Sequence, residues 1–354
     1  MRCVGTERPG AHIHVKVSTV MSPRPTRTTV YCTYFDSGYL SRGLTLIESL
    51  RTHGDNSDVI ILALDDDVKV FFDSANMPGV QAILVDELEV AERALAPLKE
   101  TRSRMEYYFT CTPLLIRFAM NRIGKPGTVA IYLDADLYFV DAPQRAIEAL
   151  GSGSVGIIEH RYPARLATRL AKYGQFNVGW VAFVDDENGR RVLDWYAKST
   201  LEWCGDKPTD GKYADQGYLD WFPEFAGVEI LHSGAYDLAP WNTARHDIRL
   251  ADGVVSVDGD PLDFFHVHGL RRVGDWFVTA QSVYGAKVTP ALRHGVYEPY
   301  VEALQKWDAV AAAKLPARPA PAKRGVGVMG LAFRTYKNAL NRWAIMTGNA
   351  IAAK

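Results

Sequence analysis

The sequence predicts an α/β protein with a Rossmann-like N-terminal half, a mixed C-terminal half and an amphipathic helix at its C-terminus. Three observations carry this reading. Over about 110 residues from Thr28, apolar or β-branched runs alternate with stretches of helical spacing, the signature of right-handed βαβ units around a parallel sheet. Beyond that the apolar runs become shorter and are separated by loops rather than helices. Near the end, an Ala/Pro-rich stretch precedes a basic segment with 3.6-residue periodicity.

The elements follow in order. TTVYCTYF, residues 28–35, is β-branched and aromatic and reads as a strand that Asp36-Ser37-Gly38 closes. Residues 39–52 read as a helix, with Leu40, Gly43, Leu44, Ile47 and Leu50 on one face. DVIILAL, residues 58–64, is a continuous apolar run suited to a buried parallel strand. A short strand is expected at 82–85, and helical spacing covers 86–98 and 105–122. TVAIYLDADLYFV, residues 128–140, is a strand interrupted by two aspartates. GSVGIIEH, FNVGWVAFV and GVEILHS are the short strands of the second half, which also holds Trp180, Trp195, Trp203, Trp221, Trp241 and Trp276. Both halves are expected to share one sheet.

Four segments are expected. Residues 1–27 are a Pro-, Arg- and Thr-rich disordered leader, 28–310 the folded domain, 311–325 an extended linker, and 326–354 a basic amphipathic helix. On that helix Met329, Phe333, Tyr336, Leu340 and Trp343 share one face, with Arg334, Lys337, Asn338 and Asn341 off it. Such a helix suits a membrane interface, and the rival reading is that it docks on the protein's own body.

The 354 residues are 47% hydrophobic and 23% charged, an ordinary globular composition. No run of about 20 apolar residues occurs, so no transmembrane helix is expected. The N-terminus lacks the apolar core of a secretory signal, and Cys3, Cys32, Cys111 and Cys204 form no C-x-x-C pair. Reduced thiols in a cytoplasmic protein follow. The net charge of −1 is unevenly spread: residues 28–308 are acidic, while residues from 309 onward carry eight basic side chains and no acidic one. An acidic body argues against nucleic-acid binding. The basic tail points to an anionic partner, most simply the inner face of the cell membrane, with a merely solvated tail as the alternative.

Asp134-Ala135-Asp136 is the most informative triplet. Residues i and i+2 of an extended segment point to one side, so two carboxylates there can hold one hard divalent ion. They fall where a parallel strand meets its loop, the edge at which open α/β sheets bind ligands. Turn chemistry at a strand end is the alternative. A second element is His266-Val267-His268-Gly269-Leu270-Arg271-Arg272, where an imidazole suits Mn2+ better than Mg2+ and the arginines suit a diphosphate. Taken alone, each histidine reads first as an ordinary half-buried residue; beside the acidic triplet the ligand reading takes precedence.

Together these segments resemble the metal-dependent, GT-A-fold nucleotide-sugar glycosyltransferases, most closely glycosyltransferase family 8 and its bacterial relatives. The resemblance spans roughly residues 28–275. It rests on Phe35-Asp36-Ser37-Gly38-Tyr39 followed by Glu48-Ser49-Leu50, Arg117 ahead of the acidic triplet, and Tyr132-Leu133-Asp134-Ala135-Asp136. Phe176-Asn177-Val178-Gly179, Asp215-Gln216 and the closing histidine segment complete it. Arg272 stands where the family has Lys, and Val273-Gly274 replaces its Pro-Trp.

The resemblance implies a GT-A-like single domain and transfer of a hexose from a UDP-sugar to a glycan or lipid-linked hydroxyl, with retention of configuration. Asp134, Asp136 and His266 would hold Mn2+, with Mg2+ as the alternative ion and His268 as the alternative ligand. Asp36 and Tyr39 would line the uridine site, Arg272 would clamp the diphosphate, and Arg117 would reach the donor sugar or the metal carboxylates. Asn177, Asp215 and Gln216 would surround the donor sugar, with Gln216 near the reacting carbon. Trp241 and Asn242 would contact donor or acceptor. Structural alternatives are loop capping for Asp36 and Tyr39, an ion pair for Arg117, a turn for Asn177, a helix N-cap for Asp215 and burial for Trp241. A non-catalytic sugar-nucleotide or glycan-binding protein of the same fold is the alternative function. A nucleotidyltransferase is disfavoured because TYFDSGYL has no Lys and one Gly.

Overall fold

The computed structural model describes residues 27–209, 211–315 and 328–353, so the expected leader and most of the expected linker lie outside the described residues. The chain runs through β1 (Thr29–Phe35), α1 (Leu40–Thr52), β2 (Asp58–Ala63), α2 (Asp66–Ala75), β3 (Val80–Leu84), α3 (Val85–Ala91) and α4 (Arg104–Ile123). It continues through β4 (Val129–Leu133), β5 (Leu137–Phe139), α5 (Gln144–Ala149), β6 (Val155–Glu159), α6 (Leu170–Tyr173), β7 (Phe176–Val184), α7 (Glu187–Glu202) and β8 (Val228–Ile230). Then come β9 (Ile248–Ala251), β10 (Val254–Val257), β11 (Asp260–Pro261), β12 (Phe264–His266), β13 (Arg271–Val273) and β14 (Trp276–Val278). The last elements are α8 (Pro290–Leu292), α9 (Glu298–Lys314), α10 (Val328–Met346) and β15 (Ala350–Ala352).

Seven strands form one sheet in the order β3-β2-β1-β4-β7-β6-β8. β3, β2, β1 and β4 are parallel, and β7 runs antiparallel to β4 with Leu133 opposite Trp180. The parallel half and the mixed half therefore share one sheet, the GT-A-like arrangement expected. Continuous apolar runs are what a sheet covered on both faces requires. On one face α4 and α7 pack over Val30, Cys32, Ala130 and Tyr132; on the other α1 and α2 cover Tyr31, Phe35, Ile131 and Leu133. Cys32, Cys111 and Cys204 are buried and unpaired.

Local chemistry sets the helix starts. Asp65 accepts from the Val68 amide to cap α2, and Ser103 with Glu106 forms a capping box at α4. Gly43 lets α1 lie close on the sheet, since a Cβ there would sit 2.3 Å from Phe35. Glu48 ties α1 to α9 by accepting from Lys306 (2.6 Å) and from the Trp307 indole. α9 runs on through Lys314, into the segment read as linker from residue 311.

The expected strand at 128–140 is broken. β4 stops at Leu133, the acidic triplet turns, and β5 pairs antiparallel with β12, placing Leu137 opposite His266. A one-stranded reading misses this because an apolar run does not reveal where the chain leaves the sheet.

The segment expected as a helix over 326–354 holds α10 over Val328–Met346 and then β15, and α10 docks on the body. Among its described side chains, Asn341 and Ala344 are buried, and Arg271 donates to Asn341 Oδ1 at 2.6 Å. β15 then pairs with β14. The face expected to be apolar points away, leaving Tyr336, Leu340 and Trp343 60%, 37% and 48% exposed. Among the described residues no helix is long and apolar enough to cross a membrane.

Candidate active site

The end of β4 is where the sheet opens. Asp134 donates its amide to the Gly179 carbonyl (2.9 Å), and its Oδ1 accepts from the Tyr132 hydroxyl (2.9 Å). The β5–β12 pairing carries His266 alongside: its Nε2 lies 3.2 Å from Asp136 Oδ1 and 3.6 Å from Asp134 Oδ2. His266 Nδ1 faces Asp237 Oδ1 at 3.3 Å, which directs Nε2 at the acidic pair. Asp136, His266 and His268 offer ligand atoms within 4.8 Å of one another. Both histidines of the closing segment are thus within reach of one ion, His266 buried and His268 exposed.

The electrostatics are those of a crowded anionic site. Burial pushes the Asp134 carboxyl up to about 6, against the pull of His266. Burial acts upward on Asp136 as well, but His266 outweighs it and the carboxyl falls to about 2. Burial works to lower His266, yet Asp136 and Asp237 together hold its proton well above the usual range. Carboxylate oxygens and imidazole nitrogens are the donors that Mn2+ prefers, and Mg2+ accepts the oxygens. The residues fit a divalent ion.

Beside this cluster lies a cavity of about 350 Å3, of the size of small-molecule sites. Its lining includes Asp134, His266 and His268 together with Asn177, Asp215 and Gln216. Asn177 Oδ1 accepts from the Gly179 amide (2.8 Å), while its Nδ2 lies 3.3 Å from Gln216 Oε1 and 3.4 Å from His160 Nε2. Gln216 Nε2 donates to the Tyr173 carbonyl (2.8 Å), so both ends of the amide are held. Burial pushes Asp215 up to about 7, and its Oδ1 accepts from the Gln216 amide as an N-cap. Trp241 is buried and lines the cavity, with its ring 5.0 Å from that of His266.

Five expected residues stand elsewhere or serve another purpose. Arg117 does not line the cavity: its guanidinium binds Glu92 (2.8 Å) and Asp194 (3.0 Å), because its position on α4 faces the segment after α3 and α7. Arg272 is exposed and donates to the Gly274 carbonyl, because β13 turns into a hairpin where the family pattern has Pro-Trp. Asn242 is fully buried and staples its own loop, accepting from the Ala239 amide and donating to the carbonyls of His160 and Asp237. Asp36 accepts from the Gly38 amide and lies 3.5 Å from Arg104; neither it nor Tyr39 lines this cavity. Both nonetheless follow the end of β1, and the charges of Asp136 and Asp134 raise the Tyr39 phenol after burial does.

Sequence reasoning missed several groups. His160 is buried, burial pushes it down to about 4, and it is therefore neutral against Asn177. Asp237 is buried at a left-handed φ of 52°. Tyr162, Arg169, Tyr173, Tyr213 and Tyr284 line the same cavity. None carries a local pattern; only the charged segment 161–172, free of acids, offered a signal.

These features define an α/β protein of GT-A-like fold with a carboxylate–imidazole centre at the carboxyl edge of its sheet. The chain is 31% identical over 254 residues to the uncharacterized protein YfnF of Bacillus subtilis (strain 168), covering 70% of this chain and 83% of YfnF. It is 24% identical to YfnD of the same organism over 286 residues, covering 78% of this chain and 89% of YfnD. The chain belongs to the YfnF family. No protein-family model matches it. Among solved structures it is similar to the galactosyltransferase LgtC in complex with donor and acceptor sugar analogs, at 15% identity and a TM-score of 0.46. That match covers 82% of this chain and 97% of LgtC, a likeness too distant to carry substrate or chemistry across.

Proposed function

We propose that the protein is a metal-dependent glycosyltransferase that moves a hexose from a UDP-sugar to a hydroxyl of a glycan or lipid-linked acceptor, with retention of configuration. The observation that supports this most is the gathering of Asp134, Asp136 and His268 around His266, beside a cavity lined by Asp134, His266, His268, Asn177, Asp215 and Gln216.

Asp134, Asp136 and His266 would hold Mn2+, with His268 within reach. When bound, the ion neutralises charge that develops on the diphosphate as the sugar–phosphate bond breaks. The chain's own groups do the rest. Asp215 faces the cavity and can exchange a hydrogen bond with a sugar hydroxyl. Its carboxyl near pH 7 serves as donor or acceptor. Asn177 and the neutral His160 fix the cavity wall. Gln216, held at both ends of its amide, presents a rigid dipole rather than a free nucleophile. The acceptor oxygen therefore attacks on the face from which the diphosphate leaves, and its proton passes to the departing phosphate oxygen. Arg42, which donates to the Leu270 carbonyl and draws Asp136 down, would assist the diphosphate.

The exposed face of α10, with Tyr336, Leu340 and Trp343, would rest on the inner face of the cell membrane and keep a lipid-linked acceptor close.

The test is calorimetric titration with UDP-, GDP- and CMP-sugars, each with Mn2+ and with EDTA. Binding of a UDP-sugar that vanishes with EDTA, and its turnover lost in Asp136→Asn, is the expected result. No nucleotide binding under any condition would overturn the reading.

A further inference from the structure

The cavity carries cations that the reaction above does not use. From Arg161 to Lys172 the chain has Arg161, Arg165, Arg169 and Lys172 and no acidic residue, although the folded body as a whole is acidic. Two of the four have structural partners. Arg161 is buried and donates to the carbonyls of Ser233, Tyr236 and Asp237. Arg165 donates to the carbonyls of Tyr284 and Gly285. The other two form no ion pair or hydrogen bond among the described residues. The Arg169 guanidinium rests 4.9 Å from the centre of the Tyr284 ring, and the Lys172 ammonium 4.8 Å from that of Tyr173. Both rings line the cavity, as does Arg169.

Resting on the glycosyltransferase reading, we infer that Arg169 and Lys172 recognise an anionic group on the acceptor, a sugar carboxylate or phosphate, while the tyrosines of the cavity pack against its rings. A cation whose only neighbour is an aromatic ring lacks a hydrogen-bond acceptor, and a carboxylate or phosphate offers it a stronger, charge-assisted hydrogen bond. Guanidinium geometry suits either oxyanion. Tyr162, Tyr213 and Tyr284 offer amphipathic faces of the kind that bind sugar rings. The carboxylates lining this cavity, Asp134 and Asp215, lie at its walls, and neither pairs with Arg169. A neutral acceptor would leave both cations without an anionic partner, in a segment that holds no acidic residue of its own.

The experiment uses the full-length protein with UDP and Mn2+, and measures binding of three probes by saturation-transfer NMR at low salt: methyl β-D-glucuronide, glucose 6-phosphate and methyl β-D-glucoside. An anionic probe should bind about fivefold more tightly than the neutral one, the sum expected of two partly exposed ion pairs. The carboxylate and phosphate arms tell the two sources apart. The preference should vanish in Arg169→Gln/Lys172→Gln and persist in Arg169→Lys. Equal binding of all three probes by the unaltered protein, or a preference that survives the double substitution, would overturn the inference. A double variant that instead loses UDP–Mn2+ affinity would assign the cations to the donor diphosphate, and the inference falls. Failure of the glycosyltransferase reading looks different: the unaltered protein would bind no nucleotide, with or without EDTA.

Discussion

His266 Nδ1 lies 3.3 Å from Asp237 Oδ1, with both side chains buried. The contact fixes which nitrogen of the ring faces Asp134 and Asp136, and Asp237 Oδ2 has no hydrogen-bond partner among the described residues. Asp237→Asn should weaken Mn2+ binding by about 10–100-fold, the usual cost of losing such a partner. Titration of Mn2+ by electron paramagnetic resonance measures this. The ring 15N shifts of His266 in the metal-free protein should move as well, a change that loss of packing alone does not produce.

Gly179 is set by close approach. A Cβ there would fall 2.6 Å from Asn177 Oδ1 and 2.8 Å from His266 Cε1, so Gly179→Ala forces both side chains to shift. A stability loss of about 1–3 kcal/mol is expected from the overpacking. Mn2+ affinity should fall with it. A melting curve and a metal titration on the same sample read both, and unchanged metal affinity would show that His266 has room to move.

Arg117 bridges Glu92 and Asp194 rather than the cavity. Arg117→Ala should cost about 1–3 kcal/mol of stability, a part-buried pair being worth more than a surface one. Turnover per folded molecule should stay as it was. A large fall in kcat with an unchanged melting temperature would restore the catalytic role that the sequence suggested.

Asp263 is fully buried, and burial raises its carboxyl to about 7 although Arg145 draws it down. The unfolded chain ionises it near the ordinary value of about 3.9. The folded state thus holds the proton longer, so this group lowers stability as pH rises from about 4 to 7, and the loss is complete above that. Asp263→Asn should remove a contribution on the order of 2–4 kcal/mol. Chemical denaturation at pH 5 and pH 8 should show a smaller difference between the two pH values for the variant than for the unaltered chain. Equal differences would mean that the carboxyl titrates normally.

Tyr336, Leu340 and Trp343 are exposed on α10, while Asn341 and Ala344 hold the helix to the body. Replacing the three exposed residues with Ser should abolish sedimentation with anionic liposomes and leave the melting temperature nearly unchanged. Retained liposome binding would transfer the role to the basic residues alone.

The sequence by itself determined the alternation of strands and helices, the sheet's parallel half, and the Asp134–Asp136 and His266–His268 segments. These follow from periodicity and spacing, which are local. The tertiary structure decided the rest. Which face of α10 docks depended on Arg271 meeting Asn341, residues 70 positions apart. That Arg117 is a strut depended on Glu92 and Asp194, each brought in by a different helix contact. That Arg272 points to solvent depended on a hairpin where the family pattern has Pro-Trp. Asp237 and His160 carry no pattern of their own; they matter only because folding sets one against His266 and the other against Asn177. Burial, and with it the charge each group carries, is a property of neighbours distant in the chain, so it enters only when the chain closes on itself.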